Sequence, residues 1–258
     1  MSKNLILYVL TAALRDKVFI SFALMAAVSV SLSIFLGSSA VLEKDQFSAV
    51  FAASGLRFAS VLALILFVVF YVRRSFETRD VEYMLTKPVS RLGFVMSHTV
   101  AFIILCLFAT ILVSGSLYFM IPSVTEGVGS LSGYIFWCMS LLIELCIMTS
   151  VALFFALVLN SAVSASLITI AFYVLARLMG QILGIIEAVG QGGIYKLLEQ
   201  VMLVISMFIP RLDLMGQSSW ILYGLDENVN LAFILIQGAV FCFLIFAATM
   251  VDFVRKQF

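Results

Sequence analysis

Apolar residues run along this chain in blocks of about twenty, and polar residues gather between the blocks. Six such blocks stand out: Val18 to Leu36, Phe58 to Val72 (or from Ala49), Phe94 to Ile121, Tyr134 to Leu159, Ala162 to at least Leu178, and Leu231 to Val251. Each, the second when counted from Ala49, is long enough or nearly so to cross a hydrocarbon core of about 30 Å as a helix. A bilayer offers no water to unpaired backbone groups, and the blocks lack the alternation of a membrane barrel, so helices are the expected spans. The pattern predicts an all-α, polytopic membrane protein with six transmembrane helices and a single transmembrane domain over residues 1–258.

Two apolar segments do not fit the span pattern. NLILYVLTAALRDK, ahead of the first block, is too short to cross. Asn4, Thr11 and Arg15 fall on one helical stripe with Leu, Val and Tyr elsewhere, which suits an N-terminal helix lying in the interface. A cleaved signal peptide is the alternative, since Lys3 precedes an apolar run. The second segment, IYKLLEQVMLVISMFIP, follows Gly190-Gln191-Gly192-Gly193 and carries Lys196 and Glu199. It reads as a helix on the outer face before the last span, ended by Pro210; a seventh crossing is the alternative.

Composition agrees with this reading: 64% of the residues are hydrophobic and only 11% charged, against roughly 25% charged in a soluble domain. The net charge of +1 says nothing about partners, and nucleic acid is not among those expected. Charge placement is more informative. With the N-terminus inside, the inner segments hold Lys3, Arg15, Lys17, Arg73, Arg74, Arg79, Lys87, Arg91, Arg255 and Lys256, and the outer ones only Lys44, Lys196 and Arg211. This bias places both termini in the cytoplasm. Cys106, Cys138, Cys146 and Cys242 all lie in apolar blocks without metal-type spacing and read as packing residues. Tyr71, Tyr118, Tyr134, Trp137, Trp220 and Tyr223 stand near block ends and read as interfacial belts.

One polar interval is unusually dense. Between the second and third blocks, Arg73, Arg74, Glu77, Arg79, Asp80, Glu82, Lys87 and Arg91 fall within twenty residues. Ser75 to Leu85 can form a helix that Pro88 stops. Arg73 and Glu77 are spaced i, i+4, and Arg79 and Glu82 i, i+3, which supports a solvated helix. Val81, Met84 and Leu85 form an apolar face suited to a groove on another protein. A juxtamembrane helix lying on lipid is the alternative, opposed by Glu77, Asp80 and Glu82, which anionic lipid would repel.

The stretch ETRDVEYMLTKPVSRLGFVMSH, with Pro88-Val89-Ser90-Arg91 at its heart, resembles the cytoplasmic signature of ABC type-2 exporter permeases. The six-span layout, the interfacial N-terminal helix and SMFIPRLDLMG ahead of the last block are similar as well. Arg79-Asp80 and His98 stand where many members carry Gly-Thr and Lys. The resemblance implies a coupling helix formed by Glu77, Arg79, Asp80, Val81, Glu82, Met84, Leu85, Pro88 and Arg91, docking on a separate ABC ATPase subunit. It implies two ATPase copies, a second permease copy forming a homodimer, and an inner-membrane location. ATP and Mg would sit on the ATPase, and no cofactor is expected in this chain, which carries no G-x-x-x-x-G-K-S/T loop.

Two charges fall inside spans. Glu144 and Arg177 each lie about 16 residues from the turn at Asn160-Ser161, roughly 24 Å up antiparallel neighbours at about 1.5 Å per residue. They are expected to form an intramembrane ion pair; a polar lining of a translocation path and separate contacts to headgroups or water are the alternatives. An intramembrane enzyme is disfavoured, since Ser132 in GSLSG and the single His98 fall at opposite faces and no H-E-x-x-H is present. A membrane assembly or scaffold subunit without transport is the other class kept. The transported substrate is not readable from the residues.

Overall fold

The computed structural model describes residues 3–16, 18–38, 44–78, 80, 91–120, 131–189, 200–201, 204–205, 209–224 and 231–255. Among them the only regular elements are helices: α1 (Lys3–Arg15), α2 (Val18–Ser38), α3 (Lys44–Glu77), α4 (Arg91–Met120), α5 (Leu131–Val158), α6 (Ala162–Val189), α7 (Leu212–Met215), α8 (Trp220–Tyr223) and α9 (Leu231–Arg255). Five are long and apolar enough to cross a membrane: α3, α4, α5, α6 and α9. Phe22–Ser38 of α2 and Asn4–Arg15 of α1 are shorter apolar helices. The architecture is that of a multi-pass membrane protein.

The expected blocks map onto helices with modest shifts at their ends, except for the second. That block extends into a 34-residue helix, α3, from Lys44 to Glu77. At about 1.5 Å per residue it is roughly 51 Å long, well beyond the hydrocarbon thickness. The expected separate helix from Ser75 to Leu85 is therefore corrected at its start: Ser75, Phe76 and Glu77 are the last turn of α3. Nothing between Tyr71 and Glu77 breaks a helix, and the Ser75 hydroxyl donates back to the Tyr71 carbonyl at 3.0 Å. The outer-face helix expected between Gly190 and Pro210 lies largely outside the described residues.

α3 and α5 form the centre of the bundle. α2 returns against α3 along small residues, with Ala49, Ala52 and Ala53 fully buried and Gly55 against Ser29. Such residues let helix backbones approach closely where lipid supplies no hydrophobic drive for association. The Ser33 hydroxyl donates to the Ser48 carbonyl across that seam. α5 and α6 join through the tight turn at Asn160-Ser161 expected from the sequence. α1 buries Val9 and Ala13 mainly against α4 and exposes Leu7, Tyr8 and Leu14. Its apolar surface thus has a protein-facing side and a free side. α9 packs on α5 and is the least buried of the five spanning helices.

The end of the bundle that carries the charged interval is tied to its neighbours through α3. Arg73 donates through Nη2 to the Asn160 carbonyl and covers the Phe76 ring at 5.9 Å. It does not form the expected pair with Glu77, which is exposed; the α5–α6 turn offers a bare carbonyl nearer to hand. Arg74 reaches Asp16 at 3.8 Å across exposed surface. Nearby, the His98 ring lies tilted against Phe94, centroids 4.2 Å apart, with its Nδ1 at 3.0 Å from the Phe94 carbonyl.

Candidate functional site

Three charged side chains meet inside the bundle. Glu144 stands at the centre of the 28-residue helix α5 and is fully buried. One carboxylate oxygen, Oε2, accepts from Arg57 Nη1 at 2.9 Å, and the other, Oε1, accepts from Arg177 Nη1 at 3.0 Å. The two guanidiniums come from α3 and α6, so one carboxylate links three helices. Arg57 is wholly buried, whereas the Arg177 side chain keeps 26% exposure.

The remaining donors close the cluster. Arg57 Nη1 also donates to the Met215 carbonyl at 2.6 Å, and Nη2 donates to the Trp137 carbonyl at 3.0 Å and Ser140 Oγ at 2.8 Å. Arg177 Nη2 donates to the Gly216 carbonyl at 3.2 Å. The Trp137 ring lies under the Arg57 guanidinium at 5.0 Å, a cation–π distance. Charge-assisted bonds of this kind are the strong ones in a water-free interior. They are needed, because a buried charge without partners is expensive.

Met215 and Gly216 belong to residues 209–224, a segment that folds in against α3, α5 and α6 as two four-residue helices, α7 and α8. Pro210, which lacks a backbone donor, precedes α7. Arg211 and Asp213 pair at 2.8 Å, and Asp213 packs on Gly180 of α6. A carbonyl at or beyond the end of a short helix has no intrahelical partner. Met215 and Gly216 are such carbonyls, and the two arginines fill that need. Close approach is required at two glycines. A Cβ on Gly216 would overlap the Arg177 guanidinium, and one on Gly133 would overlap the Trp220 carbonyl. Ser218 and Ser54 add a hydroxyl contact to α3 at 2.8 Å. Ser54 already donates to Val50, so Ser218 is the donor there.

The structure thus brings Glu144 and Arg177 together and adds Arg57, which the sequence reading left unassigned. Spacing alone did not place it there: Arg57 lies as far from Arg73 as Glu144 lies from Asn160, and only the Arg73–Asn160 contact sets the three charges at one depth. The belt reading of the aromatics is corrected for three of them. Trp137, Trp220 and Tyr71 are buried in the bundle, while Tyr118 and Tyr223 are exposed. Position along a helix sets depth, but only packing sets which way a ring faces.

Of the coupling residues, Glu77 ends α3, and Asp80 accepts from the Thr78 hydroxyl at 2.8 Å. Arg91 opens α4. Arg79, Val81, Glu82, Met84, Leu85 and Pro88 lie outside the described residues. Among the described residues no group of His, Cys, Asp or Glu is arranged to hold a metal ion. Cys106, Cys146 and Cys242 are free thiols along a groove of about 330 Å³ between α4, α5 and α9. No family model matches the chain, and no curated protein matches it.

Proposed function

We propose that this chain is the membrane-spanning permease subunit of an ATP-driven exporter of the ABC type-2 kind. In this reading α2 is a sixth span and both termini are cytoplasmic. Two copies pair to form the translocation path. Each docks the charged interval after α3 onto a separate ATPase subunit, which holds ATP and Mg.

The observation that carries the reading is the continuity of α3. This single helix begins at Lys44, passes Arg57 in the charged cluster, and ends at Glu77 inside the charged interval. Displacement of the interval by an ATPase would therefore be delivered along a stiff rod to Arg57, and from there to Glu144 and residues 209–224. Arg73, bound to the Asn160 carbonyl, would carry the same displacement into the α5–α6 turn. The Pro88-Val89-Ser90-Arg91 signature and the excess of basic residues on one side support the same assignment.

The test is co-purification with an ATPase expressed together with this chain, followed by ATPase activity in lipid. The expected result is a complex of two permeases and two ATPases that Met84→Asp with Leu85→Asp dissociates, because Val81, Met84 and Leu85 would lose burial worth about 25 cal/mol per Å². Arg79→Ala, which would remove at most the Arg79–Glu82 pair expected from the sequence, worth about 0.2–0.5 kcal/mol, should leave the complex intact. Recovery of the chain alone from native membranes under mild detergent would support a scaffold subunit instead.

A further inference from the structure

We propose that the Arg57–Glu144–Arg177 cluster binds an oxyanion of the phosphate type, carried on an amphipathic molecule, whose oxygens replace the Met215 and Gly216 carbonyls on the two guanidiniums. The inference names a substrate class for the export reading and rests on that reading only for the word substrate.

Charge is the first argument. The cluster holds two guanidiniums and one carboxylate, and the neighbouring Arg211–Asp213 pair is neutral by itself. One positive charge is left over at the depth of the spans, where ionisable groups are costly and mark substrate or ion pathways. An oxyanion cancels it.

Hydrogen-bond supply is the second. Arg57 Nε, Trp137 Nε1 and Trp220 Nε1 are buried without a hydrogen-bond partner among the described residues. The Trp220 backbone closes on Gly133, one helical turn before Trp137. All three groups can donate. Buried donors left without acceptors are rare and call for an explanation. Of the buried acceptors without partners, Asp252 Oδ2 is near the end of α9, and Gln237 Oε1 is beside Gly238, which packs on Ile143 and Met215. Around the triad, unpartnered donors still outnumber unpartnered acceptors.

Exchangeability is the third. Glu144 sits within a long packed helix and cannot leave. The Met215 and Gly216 carbonyls belong to a segment of two four-residue helices, tied to α3 by Ser218–Ser54 and by the exposed Tyr223–Gln46 bond at 3.1 Å. They are the acceptors that can be given up. A phosphate offers the guanidinium fork paired oxygens and a formal charge that a carbonyl lacks. Access is from the side of Arg177, the one member of the triad with exposed surface, flanked on α6 by exposed Val174 and Leu178. That apolar flank favours a ligand with a hydrocarbon portion.

The chain contains only two tryptophans: Trp137 lies under Arg57, and Trp220 is buried in the segment that carries the Met215 and Gly216 carbonyls. Intrinsic fluorescence therefore reports it directly. The experiment titrates the purified chain, without ATPase, with dodecyl phosphate, dodecanol and inorganic phosphate in a neutral detergent. Dodecyl phosphate is expected to shift the emission saturably, and Arg177→Gln to raise the half-saturation concentration by about tenfold or more. Saturation by inorganic phosphate alone assigns the site to the free anion, whereas silence from phosphate with a response to dodecyl phosphate assigns it to an anionic amphiphile. An equal response to dodecanol, or an unchanged titration in Arg177→Gln, overturns the proposal. The wild-type comparison of charged and neutral ligands decides even where the variant fails to fold. Loss of ATPase co-purification would overturn the export reading without touching this result, and the reverse also holds.

Discussion

Arg57 donates to Glu144 at 2.9 Å with both side chains removed from solvent, although 87 positions separate them in the chain. Arg177 takes the other carboxylate oxygen from a more open position, with 26% of its side chain exposed. The three residues are therefore not equivalent, and their removal should not cost the same.

Glu144→Ala strands two guanidiniums, one of them in a dry interior, and should cost about 3–5 kcal/mol, whereas Arg177→Ala leaves Glu144 paired with Arg57 and should cost markedly less. The joint removal that is tolerated should be Arg57→Met with Glu144→Leu, because the surviving arginine is the one that reaches the surface. Glu144→Leu with Arg177→Met leaves Arg57 buried without a counter-charge and should cost more than the first double variant. Thermal unfolding of the four variants in one detergent gives the order, and a milder effect from the second double variant would contradict the three-helix arrangement.

The hydroxyls of Ser54 and Ser218 are 2.8 Å apart. Replacing both by cysteine, in a chain whose four natural cysteines are replaced by alanine, should allow a disulfide under mild oxidation, since the side chains point at each other within the reach of such a bond. Peptide mapping would detect it. Absence of the cross-link would mean that residues 209–224 do not rest against α3.

Gly133 meets the Trp220 backbone with no room for a Cβ. Gly133→Ala should destabilise the protein by about 1–3 kcal/mol, the usual range for overpacking. It should also move tryptophan emission toward longer wavelength as α8 is pushed off α5. A variant with wild-type melting and wild-type emission would show that the contact is not made.

Arg73 and Arg74 are adjacent and should behave differently. The Arg74–Asp16 pair is 3.8 Å long, with side chains 72% and 40% exposed; exposed pairs of this kind contribute about 0–1 kcal/mol. Arg74→Ala should melt close to wild type. Arg73→Ala removes a bond to the Asn160 carbonyl between two spans. Amide hydrogen exchange at the α5–α6 turn should rise for Arg73→Ala alone, and equal exchange in both variants would remove the tie between α3 and that turn.

The helical character of the apolar blocks, the tight turn at Asn160-Ser161, and the matched depth of Glu144 and Arg177 were all legible in the sequence. Each depends on counting along one helix, where rise per residue is constant and lipid demands an unbroken apolar run. What counting does not reveal is rotation about the helix axis. In a membrane both the packed face and the lipid face of a helix are apolar, so periodicity that would mark the core side in water is muted. That is why Trp137 and Trp220 read as belt residues and are in fact buried, and why Arg57, left unassigned by the sequence, is in fact the fully buried partner of Glu144. The fold of residues 209–224 was hidden for a related reason. Helices of four residues have too few turns to show a period, and their position is decided by where two arginines from distant helices need carbonyl oxygens. Local chemistry determined the spans and their depth; only the packing of α3, α5 and α6 decided which charges meet, because that choice depends on side chains that no single stretch of the chain contains.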